Sequence, residues 1–566
     1  MEALALLVLL VLLCCPCALG CALTQRRFEQ WLPLSLTGIV LIQLLFGLFG
    51  CLRAGFTAAV VFCLLALLAA LVIAWCGREG RAFVRRLFDA PFFLFCALYL
   101  FLICVNYGKL LAAWDEFSHW GDVVKMMTTL DVLSIDPASR SLFPEYPPAM
   151  ALLQYFGERV YLAVTGETEM AEWLLYLVYQ LFLFSLFFPL LEAESLKKLD
   201  TWLGLAAVFL LPCVFQVSVY AKIYIDAFLG VLFGLALYAA LSDPAWERMR
   251  PLGFAALLML LTLSKALGLV FALVALGCAA LSGRKKLWLT LLALLPALLW
   301  YGIAWLNRAA QGYSGEKLRT AVQSGGAGFT VYRLDILQSY GRAFFTRPIL
   351  GQEAVCPALS GAVVLLVLLL LLAFLLAKTR RSGFRLLLGF NLCFSAGLGL
   401  AFAFLYPPEE ASILLGMERY LNNLYLADAL LLLLLARERR PGLRMAALSL
   451  CVILALTPLQ ATARFLLRRE VLYSQTVRAP YARAVRALQQ ADPEGGGCVL
   501  LDTGEDALGA MILRTSLRPR LTQTGSLQAL DGAFEAWDYA VVFPPGQSEA
   551  AAYALSPEGE LFSLQP

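Results

Sequence analysis

Apolar residues gather along this chain into runs of the length that crosses a bilayer, about 20 residues, with short polar joints between them. Such windows fall near residues 2–22, 32–53, 55–76, 90–113, 171–191, 201–220, 226–241, 251–264, 266–282, 288–305, 357–377, 385–405, 421–436 and 443–463. They predict an α-helical polytopic membrane protein with about fourteen transmembrane helices over residues 1–463. No positive segment precedes the first run, so it reads as a span rather than a signal peptide. Lys265 interrupts the stretch 251–282, which predicts two short helices hinged there or one long broken helix.

The pattern changes near residue 464. Helices over 479–491 and 505–514 and strands over 497–502 and 538–543, with Gly and Pro between, predict a small C-terminal α/β domain spanning residues 464–566. About a hundred residues is enough to bury a core. Gly495-Gly496-Gly497 precedes its strand instead of following it, which makes a turn and not a phosphate loop. The domain carries no catalytic constellation and reads as a packing or acceptor-positioning unit.

Positive charge sets the sidedness. Arg26-Arg27, the Arg78 to Arg86 group, Lys197-Lys198, Arg248 and Arg250, Arg284-Lys285-Lys286, Lys378 to Arg385 and Arg437 to Arg444 fall on alternate loops. The positive-inside rule makes those loops cytoplasmic. The loop 114–170, the turn 221–226, the tip at Lys265, the loops 306–356 and 406–420 and the C-terminal domain are then extracytoplasmic. This is the layout of a multi-pass plasma or inner membrane protein. Composition agrees, with 61% hydrophobic and only 15% charged residues, where a soluble protein carries roughly a quarter charged. A net charge of +4 gives no reason to expect nucleic acid. Cysteines such as Cys14, Cys15, Cys63, Cys96 and Cys451 lie inside apolar runs, where they act as small hydrophobes.

Candidate chemistry concentrates in Trp114-Asp115-Glu116-Phe117-Ser118-His119-Trp120, just past the run 90–113. A helix opening at Trp114 places Asp115, Ser118, His119 and Asp122 on one face and Trp120, Val123, Val124, Met127 and Leu130 on the other. That pattern suits a helix lying in the membrane interface. The acidic doublet caps that helix, serves as a general base if partly desolvated, or offers oxygen ligands to a divalent cation. Downstream, Phe143-Pro144-Glu145-Tyr146-Pro147-Pro148 is a stiff extended turn that either braces the loop or walls a pocket.

An acidic doublet after a span, a histidine three residues beyond Glu116, Gly121, an interfacial helix and then Tyr146-Pro147-Pro148 resemble the first extracytoplasmic loop of GT-C superfamily glycosyltransferases. Protein O-mannosyltransferases and the aminoarabinose transferases of lipid A are the nearest in layout. The likeness runs over roughly residues 90–305, weakens through 421 and leaves out the C-terminal domain. It implies a polyprenyl-phosphate sugar donor, a glycan, lipid or protein acceptor on the far side of the membrane, and a catalytic Asp115 supported by Glu116. Three spans precede the one leading to the doublet, where the family has none, so residues 1–89 are an addition or the match is shifted.

The resemblance also favours Asp226, in Tyr220-Ala-Lys222-Ile-Tyr224-Ile-Asp226, as a pocket residue beside His119, Tyr146, Pro147, Pro148 and Tyr420. It favours Lys222, Lys265 and Arg419 as ligands of the donor phosphate. A lysine at bilayer depth costs about 2.5–3.5 kcal/mol, so Lys265 either snorkels at a tip or meets an anion. The arginine fork of Arg419 matches phosphate oxygens. The loop 306–356 adds Arg308, Lys317, Arg319, Arg333, Arg342 and Arg347, an excess suited to drawing in a lipid phosphate. Rival readings are an O-antigen-type polymerase or ligase and a lipid-linked-sugar transporter or flippase. The latter requires ionisable residues near the bilayer midplane.

Overall fold

The computed structural model describes residues 1–77, 80–191, 195–285, 287–307, 309, 331–350, 358–527, 534–543 and 548–565. Lys317, Arg319 and Arg308 of the basic loop lie outside the described residues. Six described helices are long and apolar enough to cross a membrane: Glu2–Leu23, Phe28–Leu48, Leu52–Cys76, Glu172–Leu190, Arg381–Phe404 and Met417–Arg439. Three bent pairs raise this to nine. They are Gly80–Leu87 with Ala90–Asn106 at 42°, Ile225–Leu241 with Asp243–Thr262 at 114°, and Leu443–Leu456 with Leu459–Leu466 at 95°. Each apolar window of the sequence holds a helix, but many are cut short. Pro458 stands at the break between Leu443–Leu456 and Leu459–Leu466, and Arg250 takes a positive φ of 59° just before Pro251. Proline disfavours the helical conformation in the residue before it, and Arg250 is where the chain leaves that conformation. The stretch 251–282 resolves as two helices, Asp243–Thr262 and Ala266–Leu281, parted at 263–265.

The stretch 114–170 is not an open loop. Its second half forms the helix Ala149–Thr165, most of which is buried. Gln154 Nε2 donates to Leu175 O at 3.0 Å, and Gln43 Nε2 donates to Leu152 O at 3.1 Å. Gln154, Glu158 and Arg159 dilute its apolar pattern, so hydropathy passes over it. The helix Gly121–Leu130 is likewise covered on both faces: Asp122 is as buried as Val124. The reason is the turn before it. Glu116–Trp120 is a π-helical turn, wider than an α-turn, and it rotates Asp122 away from Asp115.

Polar joints collect at two ends. At one, arginines hydrogen-bond the carbonyls that close helices, groups with no partner inside their own helix. Arg284 Nε donates to Ala240 O at 2.8 Å, Arg380 reaches Leu241 O and Ser282 O, and both guanidinium groups pair with Asp243. At the other end Glu2 accepts from Tyr107 and Tyr161, and Arg53 meets Asp131.

The C-terminal domain sits at this second end. Its five-stranded sheet has the order Thr522–Thr524, Val499–Asp502, Tyr539–Val542, Ala551–Leu555, Leu561–Ser563. The first two pairings are parallel and the last two antiparallel. Its helix Ala507–Leu517 lies against the π-turn, and Thr515 Oγ1 donates to Phe117 O.

Candidate functional site

Four segments far apart in sequence meet beside the π-turn, and close helix packing brings them there. A Cβ at Gly230 would stand 2.9 Å from Asn423 O, and one at Gly234 2.9 Å from Ala427 O. This small-xxx-small pair therefore lets Ile225–Leu241 press against Met417–Arg439. The approach seats Asp226, in the first turn of the former, against the latter. Asp226 Oδ1 accepts from Asn423 Nδ2 at 3.0 Å and from Lys265 Nζ at 2.9 Å. Its Oδ2 lies 3.7 Å from Arg419 Nε. Arg419 in turn donates Nη1 to Asp115 Oδ2 at 2.5 Å. The result is a chain of alternating charge, Asp115–Arg419–Asp226–Lys265. Tyr420 flanks it, its ring 5.4 Å from both Lys265 Nζ and the Arg419 guanidinium.

Exposure divides the carboxylates. The Asp115 side chain is 28% exposed and that of Asp226 only 4%. Glu116 is 1% exposed and its oxygens are taken. Oε2 accepts from Ala112 N and Ala113 N, and Oε1 from Tyr176 OH and Ile223 N, all at 2.9 Å. A carboxylate so engaged holds the segment 110–116 against the turn before Asp226. Four donors take up its acceptor sites. A divalent cation on the doublet would have Asp115 alone, and the hard cations need several oxygen ligands, so these residues do not fit one. Gly121 serves the same fold: a Cβ there would meet Leu111 Cδ1 at 2.3 Å and Glu116 O at 2.9 Å.

His119 is 3% exposed, in a cage of Trp120, Tyr146 and Phe143 with ring centroids at 4.6, 4.8 and 6.2 Å. Burial, with help from the nearby charge of Lys265, pushes its imidazole down to about 3. The imidazole is held neutral by its burial and packs as an aromatic ring among Trp120, Tyr146 and Phe143. Pro147 and Pro148 are buried at the start of Ala149–Thr165, and Trp300 Nε1 ties the turn by donating to Glu145 O.

A cavity of about 490 Å³ opens beside Arg419. Lys222, Arg347 and Arg419 supply its positive charge, and Val214, Phe215, Ile349, Leu350 and Leu456 much of its apolar wall. Arg347 is paired with Glu418 at 2.5 Å. Of the anticipated residues, Lys222 and Arg419 line this cavity; Asp115, Tyr146, Asp226, Lys265 and Tyr420 do not. Lys265 is spent on Asp226 and reaches the cavity only through Arg419.

Other participants escape a reading of the sequence. Lys109 Nζ donates to Ala221 O at 2.5 Å and lies 3.8 Å over the Tyr176 ring. It follows an apolar run and so looks like part of it. Asn423 and Gln216, whose Nε2 donates to Arg419 O and Asn423 Oδ1, sit in windows that score as spans. No protein-family model matches the chain, and no curated protein is significantly similar to it.

Proposed function

We propose that the chain is a membrane glycosyltransferase that moves a sugar from a polyprenyl-phosphate donor to an acceptor on the extracytoplasmic side. The carrying observation is the Asp115–Arg419–Asp226–Lys265 chain, which ends in a partly exposed carboxylate next to a cavity both cationic and apolar. Such a cavity suits a lipid phosphate: cations for the head, aliphatic walls for the tail. The segregation of helix-closing arginines to one end and the site to the other supports a multi-pass placement with an outward-facing site.

The chemistry follows from competition for one guanidinium. A donor phosphate entering beside Lys222 and Arg347 draws on the fork of Arg419, which prefers two oxygens in its plane, and loosens its hold on Asp115. The freed carboxylate accepts the acceptor's hydroxyl proton as general base. The acceptor oxygen bonds to the anomeric carbon while the bond from that carbon to the phosphate oxygen breaks, and the cations stabilise the departing polyprenyl phosphate. One displacement inverts the anomeric centre. Glu116 keeps Asp115 in place and takes no proton.

The test is transfer from radiolabelled polyprenyl-phosphate sugar in membranes carrying Asp115→Asn. Loss of transfer at normal expression is expected; full transfer rejects the reading. A cysteine placed at the exposed Leu142, in a chain lacking other exposed cysteines, should react with an impermeant thiol reagent from outside the cell. Labelling only after permeabilisation sinks the topology. The flippase reading has one observation in its favour, a carboxylate buried midway along Met417–Arg439, and for that reading Asp115→Asn leaves lipid-linked sugar accumulating on the cytoplasmic leaflet.

A further inference from the structure

A second cavity, of about 700 Å³, opens where the C-terminal domain meets the bundle, and it shares no lining residue with the one beside Arg419. The bundle contributes the helix Gly121–Leu130 and the segment 168–172, and the domain contributes the helix Arg469–Ala491 and the turn 516–520. Five cations line it, and three of them are spent. Arg478 Nη1 donates to both oxygens of Glu172 at 3.1 and 3.0 Å, Arg518 grips Asp122, and Arg520 pairs with Asp492. Lys125 and Arg486 are left, and neither forms an ion pair among the described residues. Half-buried Lys125 finds one acceptor for its three N–H bonds, Ser516 O at 3.0 Å. Ser516 fixes the place, because its hydroxyl accepts from Arg478 Nη2 at 2.9 Å. Arg486 uses only Nε, on Ala482 O one turn back in its own helix.

The hydroxyls of the lining have the opposite need. Thr128 and Thr129 give their hydrogens to carbonyls of their own helix, Ser516 to Ile512 O and Tyr481 to Asp506. Each therefore offers lone pairs alone. Glu169, exposed, accepts from Gln489 Nε2 at 3.2 Å and has no cation among the described residues. Two unpaired cations against one unpaired carboxylate leave one positive charge in excess.

We infer that this cavity binds an acidic saccharide, with the sugar's carboxylate on Lys125 and its hydroxyls donating to the lone pairs around it. The volume suits a short oligosaccharide. A bare phosphate or sulfate would meet the lysine but bring too few donors for the hydroxyl oxygens. An acidic peptide would bring a carbonyl with every residue, and the lining has few donors left to receive them. Because Lys125 belongs to the bundle and Arg486 to the C-terminal domain, the bound sugar would bridge the two. This inference is independent of the transferase reading.

The experiment is calorimetric titration of the full chain in lipid nanodiscs with uronic-acid disaccharides, their neutral counterparts, inorganic phosphate and triglutamate. An acidic disaccharide should bind saturably and at least tenfold more tightly than its neutral counterpart, phosphate or triglutamate. Lys125→Met, which keeps the aliphatic stem, should weaken it about tenfold, as losing a charged hydrogen bond does. Arg486→Gln, on an exposed position, should weaken it less and serves where Lys125→Met does not fold. Lys222→Met, in the other cavity, should change nothing. The assignment is overturned if no acidic disaccharide binds, or if a neutral sugar, phosphate or triglutamate binds as well. It is overturned too if binding survives both Lys125→Met and Arg486→Gln unchanged, or is lost in Lys222→Met.

Discussion

Asp115 and Asp122 stand seven residues apart, each pairs with an arginine hundreds of residues away, and the two pairs are built for opposite ends. Asp122 and Arg518 are 1% and 3% exposed, and their two hydrogen bonds, at 3.0 and 2.9 Å, are bidentate. The Thr515 hydroxyl, within reach of both Phe117 O and this carboxylate, stands 3.3 Å from Asp122 Oδ1, and Arg514 lies 3.8 Å away. Nothing is left for a ligand to take. Asp115 and Arg419 are 28% and 31% exposed, joined by one bond, and Arg419 is shared with a second carboxylate. A dry, saturated pair is a joint between the π-turn and the C-terminal domain. A wet, shared pair can be rearranged by an anion, and that is what a site requires. The π-turn between them points the two aspartates in different directions.

Breaking each pair should therefore fail differently. Asp115→Asn is expected to lower transfer on the order of 10²–10⁴-fold, the usual share of a general base, with Tm within a few degrees of the parent. Asp122→Asn should leave Arg518 buried and uncompensated, at about 3–5 kcal/mol of stability. Thermal unfolding and protease sensitivity of the 469–565 region would report it. Replacing both partners, Asp122→Leu with Arg518→Met, should recover most of that loss, because a buried pair often stabilises no more than apolar groups of its volume. If Asp122→Asn instead removed activity from a protein of unchanged Tm, the joint would have to be counted as part of the site.

A finer cut is Arg419→Lys. Lysine keeps the charge but has one nitrogen where arginine offers both Nη1, on Asp115, and Nε, near Asp226. The donor's KM should rise about tenfold, or about 1.4 kcal/mol, while Asp122 and its partners are undisturbed. An unchanged KM would remove Arg419 from the donor's phosphate, and Arg347 would then be the cavity cation to test by the same substitution.

Much of this arrangement was legible in the sequence, for a physical reason. Asp226, Lys265 and Arg419 each interrupt or border an apolar run, where a charge has few tolerable places to go except toward one another. The helices themselves follow from run length, but most of their breaks do not: the window 443–463 reads as one run across Pro458, while Pro16, Pro33 and Pro212 sit inside unbroken helices. What could not be read is whatever depends on the chain returning on itself. Glu116 is an anchor because the amides of Ala112 and Ala113 fold over it, and spacing alone cannot tell such an anchor from a base. Arg518 meets Asp122 across almost 400 residues. Asn423 and Lys109 hide in windows whose mean hydropathy is apolar, and Ala149–Thr165 hides because its polar residues find partners inside the bundle.

The effect expected to leave transfer untouched concerns His119, which shares the π-turn with the doublet yet belongs to neither pair. Its folded-state value near 3 lies below the ordinary 6.5. Above about pH 6.5 both folded and unfolded chains hold it neutral and it contributes no pH dependence. Below that, the unfolded chain takes up a proton that the folded one refuses, so stability falls as pH drops toward 3, by at most about 1.4 kcal/mol per pH unit. His119→Phe keeps the aromatic cage and removes this slope. The Tm of the variant should thus gain on the parent between pH 7 and pH 5 while the two pH–rate profiles of transfer superimpose. A shift in the acid limb of transfer on replacing His119 would mean that the imidazole handles a proton after all, and the boundary between wall and reacting group would have to be redrawn to include it.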